Sequence, residues 1–293
     1  MRRLLKLGIQ LLSAVSPALA ARIAERFWFA VPHPRLNDEA REFLATGTQF
    51  ELNVTGRRVV GWRWGSGPAV LLMHGWGGHA AQLRAFVEPL TRAGYQVVAC
   101  DAPSHGLSAP GRLGPGRAVL FDFSETLLMV SRDQPAIAGV IAHSGAAAAT
   151  AWALTQRPDW PVQRIVFVAP FGSPARYMAI FQRMIGLSDA ALQRFKENTE
   201  RQFGFRWIDF EVPAMADRVK TPPLLVIHDR DDRETAWQDG ADIASRWPQS
   251  QLHTTTGLGH NRILRDPAVV QLVVDSLLAA SPRTLANTAR TPQ

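Results

Sequence analysis

Apolar and polar positions along this chain follow two alternating rhythms. From residue 48, Phe50, Leu52 and Val54, and then Val60, Trp62 and Trp64, alternate with polar or glycine positions. That is the period of half-buried strands, and it predicts an antiparallel hairpin with one buried face. Short continuous apolar runs follow: AVLLM (69–73), YQVVAC (95–100), AGVIA (138–142), RIVFVA (164–169) and PLLVI (223–227). Such runs suit strands covered on both faces. Segments of helical spacing separate them at roughly 80–93, 117–133, 145–157, 236–247 and 266–280, the last opened by Asp266-Pro267. Strand–helix alternation of this kind predicts a parallel, doubly wound α/β sheet, whose chemistry gathers at the carboxyl ends of the strands.

Before residue 48 the pattern is helical. Leu5, Ile9, Leu12, Leu19, Ile23 and Phe27 keep helical spacing, and Ser16-Pro17 reads as an N-cap with proline at the first helical position. We therefore read two amphipathic helices that either pack on the body of the protein or lie on a membrane surface, the second giving a peripheral membrane contact through residues 1–30. Arg2, Arg3 and Lys6 before an apolar stretch, with Ala18-Leu19-Ala20 after it, also fit a cleaved secretory signal. The first reading places the protein in the cytoplasm, peripheral to the inner membrane; the second makes it secreted or periplasmic. The expected organisation is helices and linker over 1–47, an α/β core over 48–170 and 221–281, an insertion over 171–220 and a loose tail over 282–293.

Composition narrows the classes. Of 293 residues, 46% are hydrophobic and 19% charged, which excludes wholesale disorder. One cysteine, Cys100, excludes a disulfide scaffold, an iron–sulfur cluster and a cysteine-rich zinc site. The net charge is +7, but the arginines are dispersed and no aromatic-interleaved basic motif occurs, so no nucleic-acid partner is expected. The eight histidines show no metal-binding spacing, and no metal or cofactor is expected. Two further motifs carry no chemistry: His33 to Asp38 fits H-x4-D, but Pro32 and Pro34 flank the histidine and the segment precedes the first strand, and the glycine-rich Pro110–Gly116 lacks the G-K-[ST] of a phosphate loop.

The strand ends carry the chemistry. His74-Gly75-Trp76-Gly77-Gly78-His79 follows the run at 69–73, and Asp101-Ala102-Pro103-Ser104-His105-Gly106-Leu107-Ser108 follows 95–100. His143-Ser144-Gly145-Ala146 follows 138–142, His228-Asp229-Arg230-Asp231-Asp232 follows 223–227, and the final strand leads into Gly257-Leu258-Gly259-His260. Serine, aspartate and histidine in that chain order, each just past a different strand, is the order of the α/β-hydrolase triad. Ser144 lies between Ala142 and Ala146, small enough for a strand and helix to close around a nucleophile elbow, although the strict G-x-S-x-G is missed. His260 follows a glycine-bounded turn, as a general base must if a loop is to bring it to the serine.

The chain thus resembles the α/β-hydrolase superfamily of serine hydrolases, in particular single-domain bacterial members with HGWxG, DxPxHGxS and GLGH segments, from about residue 48 to 280. The resemblance implies an α/β-hydrolase fold of about eight strands, mostly parallel, with an N-terminal antiparallel hairpin and a small helical cap. It implies Ser144, Asp232 and His260 as the triad and the amides of Trp76 and Gly145 as oxyanion donors. In that family a glycine after the strand precedes the acid by three residues; Asp229 stands in the glycine position, which favours Asp232, with Asp231 the alternative. Ser104 replaces a usual glycine, and His105 is expected to be structural.

The resembled fold inserts its cap where the strand–helix rhythm stops, between Pro170 and Lys220, a stretch crowded with aromatic and methionine side chains. His143, Phe171 and Met178 are the expected pocket residues, and the partner is a small-molecule ester-type substrate with an apolar acyl group. The expected activity is that of a cofactor-independent serine esterase or lipase; epoxide hydrolases and dehalogenases of this fold carry aspartate where Ser144 stands. The reading from another class is a non-catalytic scaffold for ligand or membrane binding.

Overall fold

The continuous apolar runs form the middle of an eight-stranded sheet. The computed structural model describes residues 2–32, 36–132, 134 and 136–279. Its strands are β1 (Thr48–Val54), β2 (Arg57–Trp64), β3 (Ala69–Met73), β4 (Gln96–Cys100), β5 (Ile137–His143), β6 (Ile165–Val168), β7 (Leu224–Asp229) and β8 (Ser250–Thr255). They lie in the order β1-β2-β4-β3-β5-β6-β7-β8. β1 with β2 and β2 with β4 are antiparallel; the remaining neighbours are parallel. Every residue of β3, β5, β6 and β7 is buried, whereas edge strand β8 is mostly exposed. Thr55-Gly56 joins β1 to β2 with both residues at positive φ, 51° and 83°, the turn whose twist matches a two-residue hairpin.

The described chain divides into two compact units. Met1–Ala30 with Ser173–Glu211 form a helical unit: α1 (Arg2–Val15), α2 (Pro17–Trp28), α7 (Pro174–Ile185) and α8 (Asp189–Phe203). Val31–Gly172 with Val212–Gln293 hold the sheet. With it go α3 (Asp38–Ala45), α4 (Val87–Arg92), α5 (Leu120–Arg132), α6 (Gly145–Gln156), α9 (Val212–Met215), α10 (Trp237–Arg246), α11 (Gly259–Arg262) and α12 (Pro267–Ala279). The tail over 282–293 and residues 33–35 of the H-x4-D segment lie outside the described residues.

In the sheet unit, Val70, Leu72, Ile141 and Leu225 share one core with Phe86, Leu90, Val273 and Leu277 from the segment 80–92 and α12. Intervening strand residues such as Leu71, Met73 and Phe167 are equally buried, and α5, α6 and α10 pack against β3, β5 and β7. Phe167 meets Trp247, just past α10, edge-on at 5.8 Å. Both faces are therefore covered, as the apolar runs require.

Two expected helices begin differently. Residues 80–86 form a 3-10 turn before α4, because Pro89 has no N–H to continue an α-helical ladder through this stretch. The segment expected from 117 becomes helical only at Leu120, since Asp122 Oδ2 accepts the Val119 N–H at 3.2 Å and residues 117–119 are held in the preceding turn.

In the helical unit, Ser16 caps α2 through the Leu19 N–H at 3.4 Å, with Pro17 at the first turn. The aromatic residues of the unit pack on one another. The Trp28 ring meets Phe181 at 5.2 Å, Phe195 at 5.9 Å and Trp207 at 5.8 Å, and Trp207 Nε1 donates to Thr199 Oγ1 at 2.8 Å. Each such ring buries a large apolar area, so these contacts dominate the unit's cohesion.

Candidate active site

Ser144 sits at the turn from β5 into α6 with φ 56° and ψ −123°, a conformation that costs a side-chain-bearing residue about 1–3 kcal/mol. The surroundings enforce it. The Ser144 N–H donates to Val168 O on β6 at 3.1 Å, and Ser144 O accepts from Ala147 N–H at 3.0 Å and Phe171 N–H at 3.1 Å. Ala142 and Ala146 are wholly buried, so helix and strand close on each other where larger side chains would not fit. Gly75 explains the third wall: a Cβ there would come within 2.9 Å of Ser144 Cβ and 3.0 Å of His143 Nδ1. Only glycine lets the loop after β3 approach this closely, and Trp76 follows directly. Gly145 opens α6, so its N–H has no partner within the helix.

Asp232 lies in the turn past β7. Its Oδ1 accepts the N–H groups of Glu234 at 2.8 Å and Thr235 at 2.9 Å. Its Oδ2 accepts from His260 Nδ1 at 2.8 Å and the Thr235 hydroxyl at 3.0 Å, and His228 Nε2 lies 3.4 Å away. Burial disfavours the charged carboxylate, but hydrogen bonds from His228 and His260 more than offset it and hold the pKa well below the usual carboxylate range. Asp231 points elsewhere: its Oδ2 accepts the Gly257 N–H at 2.9 Å.

His260, on α11 past β8, is buried. Its Nδ1 faces the Asp232 carboxylate, so the proton belongs on Nδ1 and the lone pair on Nε2. His143 supports it from below, with ring centroids 4.5 Å apart and its Nε2 donating to His260 O at 3.1 Å. Burial, and then the neighbouring His260, push the His143 pKa down to about 3, so this imidazole is neutral. Among the described residues Ser144 Oγ has no hydrogen-bond partner, and His260 Nε2 stands 3.9 Å from Glu234 Oε2. The Asp232–His260 hydrogen bond is thus formed, while no hydrogen bond joins Ser144 Oγ to His260.

Of the expected pocket residues, Phe171 is half-buried and hydrogen-bonded through its backbone to Ser144, and Met178 is buried on α7 of the helical unit. Trp76, also half-buried, stacks on Phe123 at 6.1 Å and meets His105 edge-on at 5.8 Å. His105 Nδ1 lies 3.0 Å from Pro103 O, within its own loop.

Several supporting residues were not singled out for these roles from sequence. Asp229 latches the loop that carries His260: its carboxylate accepts the Asp231 N–H at 2.9 Å, the Thr255 hydroxyl at 2.7 Å and the Leu258 N–H at 3.0 Å. Its departure from the usual glycine was the available signal. Asp101 joins two loops by accepting the N–H groups of Ala80 and Leu107, each at 2.7 Å. Gly106, at φ 48°, is required there, because a Cβ would fall 1.9 Å from Asp101 Oδ2. Ser104 takes the left-handed φ of 65° usual for glycine, while its hydroxyl donates to Arg117 O and accepts the Gly111 N–H, both at 2.7 Å.

A family described as serine aminopeptidase, S33, matches residues 67–208. The chain is similar to a predicted CIB-like hydrolase from Thermoplasma acidophilum at 19% identity and TM-score 0.58, covering 79% of this chain and 97% of that one. It is similar to a putative lipase from Acinetobacter baumannii at 16% identity and TM-score 0.63, covering 83% and 94%. It is also similar to a 2-hydroxy-6-oxo-6-phenylhexa-2,4-dienoate hydrolase from a Rhodococcus species at 17% identity and TM-score 0.60, covering 80% and 99%. No curated protein matches the chain. No helix among the described residues is long and apolar enough to cross a membrane.

Proposed function

The chain is an α/β-hydrolase in fold, and from that premise we propose that it is a cofactor-independent serine hydrolase acting on carboxylic esters or thioesters. The observation that carries the proposal is the Asp232–His260 hydrogen bond at 2.8 Å, together with a serine held at a strained strand–helix elbow. Ser144 Oγ attacks the carbonyl carbon as His260 Nε2 takes its proton, while Asp232 holds Nδ1–H and balances the imidazolium. The amides of Gly145 and Trp76 receive the developing oxyanion. Collapse of the tetrahedral intermediate expels the alcohol or thiol, which takes the proton from His260. Water, deprotonated by the same imidazole, then hydrolyses the acyl-enzyme and restores Ser144.

The half-buried Trp76 and Phe171, each adjacent in backbone to the elbow, support an apolar acyl group. The similarity to a putative lipase fits the same class. The second reading is a non-catalytic scaffold, and the open Ser144–His260 contact is the observation on its side. Hydrolysis of p-nitrophenyl esters of increasing chain length separates the two. We expect turnover that Ser144→Ala and His260→Ala each abolish, with melting temperatures retained; a folded wild type inert across the series supports the scaffold.

A further inference from the structure

Large apolar side chains are unevenly exposed in this protein. Ten of the thirteen exposed ones among the described residues belong to the helical unit. On α1 the inward face is Ile9 and Ser13, both buried, with Ser13 Oγ accepting the Ser188 N–H at 3.5 Å. A flank of the same helix is fixed by the end of α7, where a Cβ on Gly186 would come within 2.9 Å of the Lys6 side chain and 2.7 Å of Gln10. Opposite the buried face, helical spacing aligns Leu4, Leu7, Leu11 and Val15 in one stripe, exposed by 74%, 55%, 71% and 85%. On neighbouring α7, Ile180 and Met184 likewise project away from the buried Met178, Phe181 and Ile185. Exposed apolar rows on adjacent helices mark a docking surface.

Charge identifies the partner. The helical unit carries eleven lysines and arginines against six acidic residues, five of the chain's seven net positive charges. α1 and α7 themselves hold Arg2, Arg3, Lys6, Arg176 and Arg183 and no acidic residue. A second copy on this face would set cations against cations. A surface that is apolar below and anionic above satisfies both features, and α1 is too short to span a bilayer but long enough to lie along one.

We propose that the helical unit docks on an anionic lipid bilayer, with Leu4, Leu7, Leu11 and Val15 of α1 seated in the headgroup–acyl boundary and Ile180 and Met184 of α7 beside them. The proposal is independent of the catalytic reading. Flotation of the full chain with vesicles of phosphatidylglycerol and phosphatidylcholine tests it, against vesicles of phosphatidylcholine alone. We expect wild type to float with the anionic vesicles, to float at least about tenfold less with the neutral ones, and to be released by salt. Leu7→Gln/Leu11→Gln/Val15→Gln, all at exposed positions, should keep the wild-type melting curve and lose flotation by about tenfold or more. Folded wild type that stays with neither vesicle, binding indifferent to lipid charge, or equal flotation of the triple variant would each overturn the proposal. So would a dimer in light scattering that the triple variant dissolves while no vesicle binds, since the occupant would then be a second copy.

Discussion

Asp232→Asn tests the acid assignment through the protonation of its partner. In the wild type Oδ1 accepts two backbone N–H groups, from Glu234 at 2.8 Å and Thr235 at 2.9 Å. An asparagine must place its amide oxygen there, because its NH2 facing both would set donors against donors. The NH2 then occupies the Oδ2 position, 2.8 Å from His260 Nδ1, and can donate only to an unprotonated Nδ1. The imidazole proton therefore moves to Nε2, the atom that must accept the proton of Ser144. The expected loss in kcat is on the order of 10⁴-fold, about 5.5 kcal/mol of transition-state stabilisation. Asp231→Asn is the control: that carboxylate accepts a single N–H, from Gly257, and the variant should stay within about threefold of wild type. Initial rates on a p-nitrophenyl ester, with thermal melts to verify folding, read both. An Asp232→Asn variant retaining more than a tenth of wild-type kcat, or a collapse at Asp231→Asn instead, would refute the reasoning.

Three further outcomes are expected. Ser144→Gly should raise stability by about 1 kcal/mol, because glycine adopts φ 56° and ψ −123° without strain, while activity disappears; a variant less stable than Ser144→Ala in urea titration would contradict a strained elbow. Gly75→Ala should cut kcat by about 100-fold with little change in melting temperature, since its Cβ drives the loop away from Ser144 and His143; unchanged turnover would show that the loop position is immaterial. Burial raises the Asp101 pKa to about 6, so its ionisation weakens the fold as pH rises between about 4 and 6. The stability margin of wild type over Asp101→Asn should accordingly be larger at pH 4 than at pH 7, and a margin independent of pH would contradict the shift.

The middle of the sheet was legible because buried strands read as continuous apolar runs, and Ser144 and Asp232 lie just past two of them; His260 instead follows the mostly exposed β8, and only the Gly257–Gly259 turn marked it. The choice between Asp231 and Asp232 rested on counting from a single slot, whereas in the structure Asp232 meets His260 and Asp231 meets the Gly257 N–H. Asp229, in that slot, latches the loop. That residue binds Thr255 and Leu258, more than twenty residues ahead, and no local pattern discloses such a contact. The role of His228 was hidden for a local reason: it is only four residues from Asp232, but its approach depends on the turn between them. Helical periodicity announced α1 and α2 but could not say that Trp28 would close an aromatic cluster with Phe181, Phe195 and Trp207, which lie over 150 residues later. The aromatic crowding in 171–220 is largely accounted for by that packing.

The most direct test of the central claim is whether Ser144 is an activated nucleophile. Full-length protein treated with a fluorophosphonate probe should gain a single adduct that peptide mass mapping assigns to Ser144. Ser144→Ala should remove the adduct, and His260→Ala should suppress it. A folded wild type that takes up no probe, or one that is labelled elsewhere, would contradict the account.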